Sequence, residues 1–378
     1  FARVEVERCI ETVTLSAETM RTMHGETINT DAMASGKKAL SYFLRVPVGV
    51  VACITPFNFP LNLVAHKLAP ALVAGNTVVL KPTPEAPLTA YKFARLFIDS
   101  EFAIKDALSV VYGDAEVGGT LVSSDIPRVI SFTGSVPVGN IITKSAGIKK
   151  VGLELGGNAA TYIDASADLD LAAQRCSLGA FVNSGQVCIS LQRIYVNENI
   201  YDAFASKIAD ETKKLIVGSP YEDDTFMGPL IDDEAASRAM GWVESAIEEG
   251  ATALLPPHRD GRMFNPCVMA NVTDDMAIVC EEVFAPIVSL VKVKDFDDAL
   301  PRMNNSPYGL QFSVFTNDLK ITQRAIEELD AGGIVINDMP TLRFDIQPYG
   351  GVKLSGVGRE GPRFAIEEMT EIKSVVIC

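Results

Sequence analysis

Val48-Gly49-Val50-Val51-Ala52-Cys53-Ile54 is an unbroken apolar run of strand length, and it ends at Thr55-Pro56-Phe57-Asn58-Phe59-Pro60, where the prolines forbid its continuation. Residues 61–73 follow with helical spacing, and Thr77-Val78-Val79-Leu80 is a second short apolar run. Strand, helix and strand in this order read as a parallel unit with a right-handed crossover. The alternation continues through helix 88–100, strand 108–111, helix 116–123, strand 128–132, helix 138–146 and strand 151–155. A parallel sheet covered by helices on both faces binds nucleotides at the carboxyl ends of its strands, so this half reads as a Rossmann-like domain.

After Gly157 the alternation restarts with strand 159–163, helix 169–181, strand 192–196 and helix 200–216. Residues 232–249 have amphipathic helical spacing, 256–266 read as loop, 287–293 and 311–315 as strands, and 321–329 as a helix. A long loop spans 337–349, with Pro340 and Pro348 setting its turns. Upstream, 2–22 reads as a partly exposed helix and 37–47 as an extended arm. The run 371–377 has no strand partner nearby in sequence, so another subunit is expected to cover its edge. There is no internal repeat and no low-complexity tract.

A chain of 378 residues with 48% hydrophobic content can bury a sizeable core in two or three domains. Its net charge of -15, with no dense Lys/Arg cluster, opposes nucleic acid and anionic membrane as partners. No apolar run reaches the length of a bilayer span. Seven cysteines without a CxxC pair suit a reducing, cytoplasmic setting. The three histidines stand at no ligand spacing, so no metal is expected, and His66 reads as a helix residue near the core rather than a base.

Three short stretches carry the chemistry. Phe181 to Arg193 sets Cys188 in a polar turn that contains Gly185, with the amides of Asn183 and Gln186 beside it. Val151-Gly152-Leu153-Glu154-Leu155-Gly156-Gly157-Asn158 places one carboxylate among apolar residues, where burial would raise it toward a useful base. In Ile54 to Pro60 the amide of Asn58 stands between prolines and can stabilise an oxyanion. Taken alone, Cys188 reads as a small buried hydrophobe.

Together, in this chain order, the three stretches resemble the aldehyde dehydrogenase superfamily, and the similarity runs from about the first helix to the last residue. The resemblance implies Cys188 as nucleophile, Glu154 as base for deacylation and Asn58, with the Cys188 N–H, as oxyanion donors. It implies NAD or NADP as cofactor. The cofactor contacts would be Ile54, Thr55, Pro56 and Phe57, then Lys81 on the adenosine ribose with Thr83 and Gly113. Phe132, Thr133, Gly134, Ser135, Val138 and Gly139 would form the phosphate turn, with Leu155 and Gly156 nearby. In that turn the glycines are five apart, Gly134 allows the bend, and Ser135 can cap the helix or bond a phosphate oxygen. Read alone, this is an ordinary capped helix.

The resemblance also puts Glu282 on the nicotinamide ribose and Phe284 against the ring. Two apart on a strand, they would share a face. Ala285 stands where relatives usually have glycine. NAD-preferring relatives often place a glutamate three residues after the lysine; here Pro84 holds that place and Glu85 follows, so NADP is expected to serve at least comparably. The implied domains are 1–25 with 48–156 for the cofactor, 157–369 for catalysis, and 26–47 with 370–378 as an oligomerisation arm in a homodimer or homotetramer. The chain is expected to lack the N-terminal segment usual in the family.

The implied reaction is oxidation of an aldehyde to an acid through a cysteine thiohemiacetal and thioester. A small anionic or hydroxylated aldehyde would meet Phe59, Arg193 and Arg343, of the kind used by lactaldehyde, non-phosphorylating glyceraldehyde-3-phosphate, sulfolactaldehyde and semialdehyde branches. Either arginine could instead serve the fold, Arg343 through Asp345. A CoA-acylating semialdehyde dehydrogenase would not need Glu154, and a catalytically silent binding or structural member would need none of the five residues Asn58, Glu154, Cys188, Glu282 and Phe284.

Overall fold

The computed structural model describes residues 1–36 and 39–378; Lys37 and Lys38, at the start of the expected arm, lie outside the described residues. The chain forms two compact units. One comprises Ala2–Glu154, Phe344–Tyr349 and Val357–Cys378; the other comprises Leu155–Arg343 and Gly350–Gly356, with Phe1.

In the first unit the parallel strands run in the order Lys150–Glu154, Val129–Thr133, Val50–Ile54, Thr77–Lys81, Leu108–Val110. Val51, Ala52 and Cys53 are inaccessible, as a strand covered on both faces requires. The helix Asn62–Val73 is buried from Asn62 to Ala71, and Val64 and Leu68 pack with Val51, Cys53, Val78 and Leu80 into one core. His66 lies in this helix, 1% exposed, as the sequence implies. A separate antiparallel sheet joins Glu26–Ile28 to Leu40–Pro47 and Leu40–Pro47 to Thr370–Ile377. The terminal strand therefore finds its partner within its own chain, along eight residue pairs from Leu40↔Ile377 to Pro47↔Thr370. One side of the terminal strand is thus covered by a segment remote in sequence, and its other side forms the edge of this sheet.

The second unit is built on a seven-stranded sheet in the order Thr252–Leu255, Cys267–Ala270, Ile287–Val293, Leu191–Asn197, Ala159–Ile163, Gln311–Phe315, Gly333–Ile336. All its pairings are parallel except the first. Two apolar cores cover its faces, one around Tyr162, Tyr195, Phe264 and Phe312, the other around Phe181, Phe204, Ile194 and Phe315. The helix expected over 200–216 stops at Thr212, and the expected loop 256–266 contains a small hairpin, Arg259–Asp260 with Met263–Phe264, that turns at Gly261 (φ 56°). Helices Phe296–Asn304 and Pro362–Glu368, which the sequence pattern left unassigned, each contain a proline.

Candidate functional site

In the first unit the implied cofactor residues gather at the carboxyl ends of adjacent strands. Ile54 is in register with both Lys81 and Phe132, Thr133 with Glu154, and the Gly134 N–H donates to the Glu154 carbonyl at 3.0 Å. Thr55 N–H donates to the Lys81 carbonyl at 3.2 Å, and Val111 N–H, two residues before Gly113, to the Leu80 carbonyl at 2.9 Å. The chain leaves each strand where a ligand can meet its end.

Several polar groups on this edge are unused by the fold. The hydroxyls of Thr55 and Thr133 are buried and bond to nothing among the described residues. Ser135 occupies the N-cap of helix Val136–Ser145, but its side chain makes no capping bond, so of its two expected roles the capping one is not seen. A ten-residue helix thus begins with N–H groups and a hydroxyl uncommitted. Within it, Gly139 is buried and Val138 exposed. Lys81 is buried, which lowers its pKa, while the charges of Glu85 and Asp114 act in the opposite direction. Glu85 in turn accepts from the buried Thr83 hydroxyl. Gly113 is at φ 153°, and a Cβ there would lie 2.3 Å from Val117 Cγ2.

Glu154 ends its strand 6% exposed. Pro56, Phe57, Asn58 and Phe59 are all half-buried, just before the helix Asn62–Val73, and the Arg8 guanidinium lies 5.8 Å from the centre of the Phe59 ring. Arg8 also grips Asp345 through Nε and Nη2, at 3.0 and 2.6 Å, and His66 Nε2 meets the same carboxylate at 2.8 Å.

In the second unit Cys188 is half-buried, whereas Cys9, Cys53, Cys176 and Cys267 are buried. Burial pushes the Cys53 and Cys267 thiols up to about 12. The turn before Cys188 holds three successive left-handed residues, Asn183 (φ 51°), Ser184 (φ 57°) and Gly185 (φ 72°). Only Gly185 does so without strain, so two non-glycine residues are held there against a cost of about 1–3 kcal/mol each. What holds them is visible: Ser184 Oγ donates to the Gly228 carbonyl at 2.8 Å, and Gln186 Oε1 accepts from Ile231 N–H at 2.8 Å. The amides of Asn183 and Gln186 also bond across the turn, at 3.4 and 3.3 Å, so they shape the turn as well as flank the thiol.

Glu282 and Phe284 do not lie on a strand. The sheet resumes at Ile287, the preceding segment is irregular, and Phe284 is left-handed at φ 49°, so the shared-face expectation is corrected. Glu282 Oε1 instead accepts from Gly157 N–H at 2.9 Å. Burial pushes the Glu282 carboxyl up to about 7, against the lowering effects of the Gly157 N–H and the Arg238 charge.

Glycines let these pieces approach. A Cβ on Gly156 would stand 2.4 Å from Glu282 Oε2, one on Gly157 2.0 Å from the Cys188 carbonyl oxygen, and one on Gly185 2.3 Å from the Ala285 carbonyl oxygen. Cys188, Gly157, Glu282 and the turn carrying Phe284 therefore form one packed cluster, and Leu155, just upstream of Gly156, is buried. Gly157, Asn158 and Gln192 belong to this cluster without a motif in the sequence that marks them. The available signal was a polar residue at 192 in a strand otherwise rich in large apolar side chains.

Arg193 is 2% exposed and points into the fold. Its guanidinium donates to Tyr195 Oη at 3.1 Å and to the carbonyls of Asn158, Arg302 and Met303 at 2.9, 3.3 and 3.3 Å. Arg343 is half-buried in the long loop. Among the described residues no group of three or more His, Cys, Asp and Glu could hold a metal, and no helix is long and apolar enough to cross a membrane.

The sequence is 46% identical over 377 residues to a 3-sulfolactaldehyde dehydrogenase of Priestia aryabhattai, covering 100% of this chain and 79% of the relative. It is 40% identical over 383 residues to a lactaldehyde dehydrogenase of Methanococcus vannielii, covering 100% of this chain and 80% of the relative. In three dimensions it matches a glyceraldehyde-3-phosphate dehydrogenase of Methanocaldococcus jannaschii complexed with NADP, with a TM-score of 0.95 and 40% identity over 99% of this chain and 81% of that one. Aldehyde dehydrogenase 21 of Physcomitrella patens, in complex with the reaction product succinate, matches at a TM-score of 0.96 and 39% identity over 99% and 78%. The model of the aldehyde dehydrogenase family matches residues 1–375, and with this fold and these relatives the chain belongs to that family.

Proposed function

We propose that this protein oxidises a small anionic or hydroxylated aldehyde to its carboxylic acid with NAD or NADP. The observation that carries the reading is the strained turn before Cys188: left-handed Asn183 and Ser184 sit in a turn that bonds from Ser184 to Gly228 and from Gln186 to Ile231 hold in place, and strain of that kind gathers at reactive centres.

The Cys188 thiolate adds to the aldehyde carbon, and Asn58 with the Cys188 N–H stabilises the oxygen that gains the charge. When bound, the nicotinamide supplies the hydride acceptor. The thioester left on Cys188 is opened by water, from which Glu154 takes a proton; the acid departs and the thiol is restored. Glu154 has a place in hydrolysis and none in transfer to CoA, which favours the hydrolytic branch. The buried unpaired hydroxyls of Thr55 and Thr133, with Ser135 and the start of helix Val136–Ser145, suit a ligand bearing phosphates and hydroxyls. Lys81 and Thr83 would face its ribose, and Glu282 and Phe284 its nicotinamide end.

Sulfonate, phosphate and carboxylate groups recur in the compounds named for the relatives, and a guanidinium holds each of them by two parallel bonds. Arg343 is the residue we assign to that group, with Phe59 beside the substrate. The Arg193 guanidinium is committed to Tyr195 and to backbone carbonyls, so we assign it to the fold rather than to the substrate. The outer edge of Thr370–Ile377, where Ile372 and Val376 are exposed, is the surface we assign to self-association in a homo-oligomer. Turnover of short aldehydes with NAD and with NADP, compared between the parent and Cys188→Ala, tests the reading. Loss of turnover in a folded variant is expected; retained turnover would reject Cys188 as the nucleophile.

A further inference from the structure

Both peptide groups that flank Glu282 are held by one side chain. Gln192, 4% exposed, donates from Nε2 to the carbonyls of Glu281 and, at 3.2 Å, Ile278, and its Oε1 accepts from Val283 N–H at 3.1 Å. Asn158, 1% exposed, reinforces the grip by donating to the carbonyls of Glu281 and Val279 at 3.0 and 2.8 Å. No sheet or helix fixes this stretch: it lies between helix Ala277–Cys280 and strand Ile287–Val293, and Phe284 adopts a left-handed backbone. An amide buried in a strand costs free energy unless all its groups are bonded, and here those bonds converge on the residue before Glu282 and the residue after it.

We infer that Gln192 is a positioning residue, whose amide sets where the Glu282 carboxylate meets the cofactor. Removing it strips the Val283 N–H of its acceptor and leaves the Glu281 carbonyl to Asn158, while the Gly157 N–H still meets the Glu282 side chain. The inference rests on the reading of Glu282 as a cofactor ligand, and it predicts a loss passed through Glu282 rather than through the nucleophile.

The test compares Gln192→Met, which keeps the length and drops all three bonds, with Glu282→Gln and with the double variant. Dissociation constants for NAD and NADP are measured by calorimetry, and alkylation of Cys188 by iodoacetamide without cofactor is followed by peptide mass spectrometry. The constants are expected to rise about tenfold in Gln192→Met and in Glu282→Gln, with no further loss in the double variant and alkylation within about twofold of the parent. Gln192→Asn, which keeps the amide but withdraws it, gives the same comparison if Gln192→Met does not fold. Unchanged binding in the Gln192 variants beside weakened binding in Glu282→Gln overturns the inference and leaves the cofactor reading intact. Unchanged binding in Glu282→Gln overturns both. Additive losses, or a matching fall in alkylation, overturn the route through Glu282.

Discussion

Two arginines carry the same charge into different surroundings. Arg193 is enclosed between the rings of Tyr195 and Phe312, 5.7 and 5.8 Å from their centres, and bonded to three carbonyls, whereas Arg343 is half-buried in a loop. Arg193→Met strands those carbonyls and is expected to lower stability by about 3 kcal/mol in urea unfolding. Arg343→Ala is expected to cut kcat/KM for an anionic aldehyde at least about tenfold while sparing a neutral one of similar length. Equal losses on both substrates would assign Arg343 to the fold.

Asp345 illustrates a buried charge that is fully matched. Burial pushes its carboxyl up, but the hydrogen bonds and charges of His66 and Arg8 outweigh this and hold it well below the usual carboxylate range. A carboxyl lowered on folding contributes stability that is fully present above its unfolded value, about 3.9, and lost as the pH falls toward its folded value. Asp345→Asn is therefore expected to cost about 3 kcal/mol at pH 7, with the gap from the parent narrowing below about pH 4. A gap of equal size at pH 7 and pH 3 would show that the ion pairs are not its source.

At the level of elements, the βα alternation was legible because strands of a covered parallel sheet are short apolar runs, and Val50–Ile54 is almost nothing else. The partner of Thr370–Ile377 was not legible, because an antiparallel register with Leu40–Pro47 leaves no local trace in either segment. The functional stretches divide in the same way. Cys188, Glu154 and Asn58 stand out by residue type and setting, but a left-handed Asn183, Ser184 or Phe284 has no signature in its residue type, and Ser184 is held by the remote Gly228 carbonyl. That is why Glu282 and Phe284 were expected on a strand face, and why Gly157 was passed over. Gly157→Ala tests the packing: its Cβ would meet the backbone carbonyl of Cys188, which cannot swing aside as a side chain can. A loss of more than about 3 kcal/mol is expected. A thermal midpoint close to the parent's would mean that the cluster gives way easily.

For the molecule as a whole, a net charge of -15 sets a repulsive field for a small anion, so an anionic substrate needs a local cation such as Arg343. Oxidation by this route leaves an acyl group on Cys188 that Glu154 is needed to remove. Mixing Glu154→Gln with NADP or NAD and an aldehyde in a stopped-flow absorbance experiment tests it most directly. A burst of reduced cofactor approaching about one equivalent per active site is expected, followed by very slow turnover, because hydride transfer precedes the step that needs a base. Steady turnover at the parent's rate with no burst, from a folded Glu154→Gln protein, would contradict it.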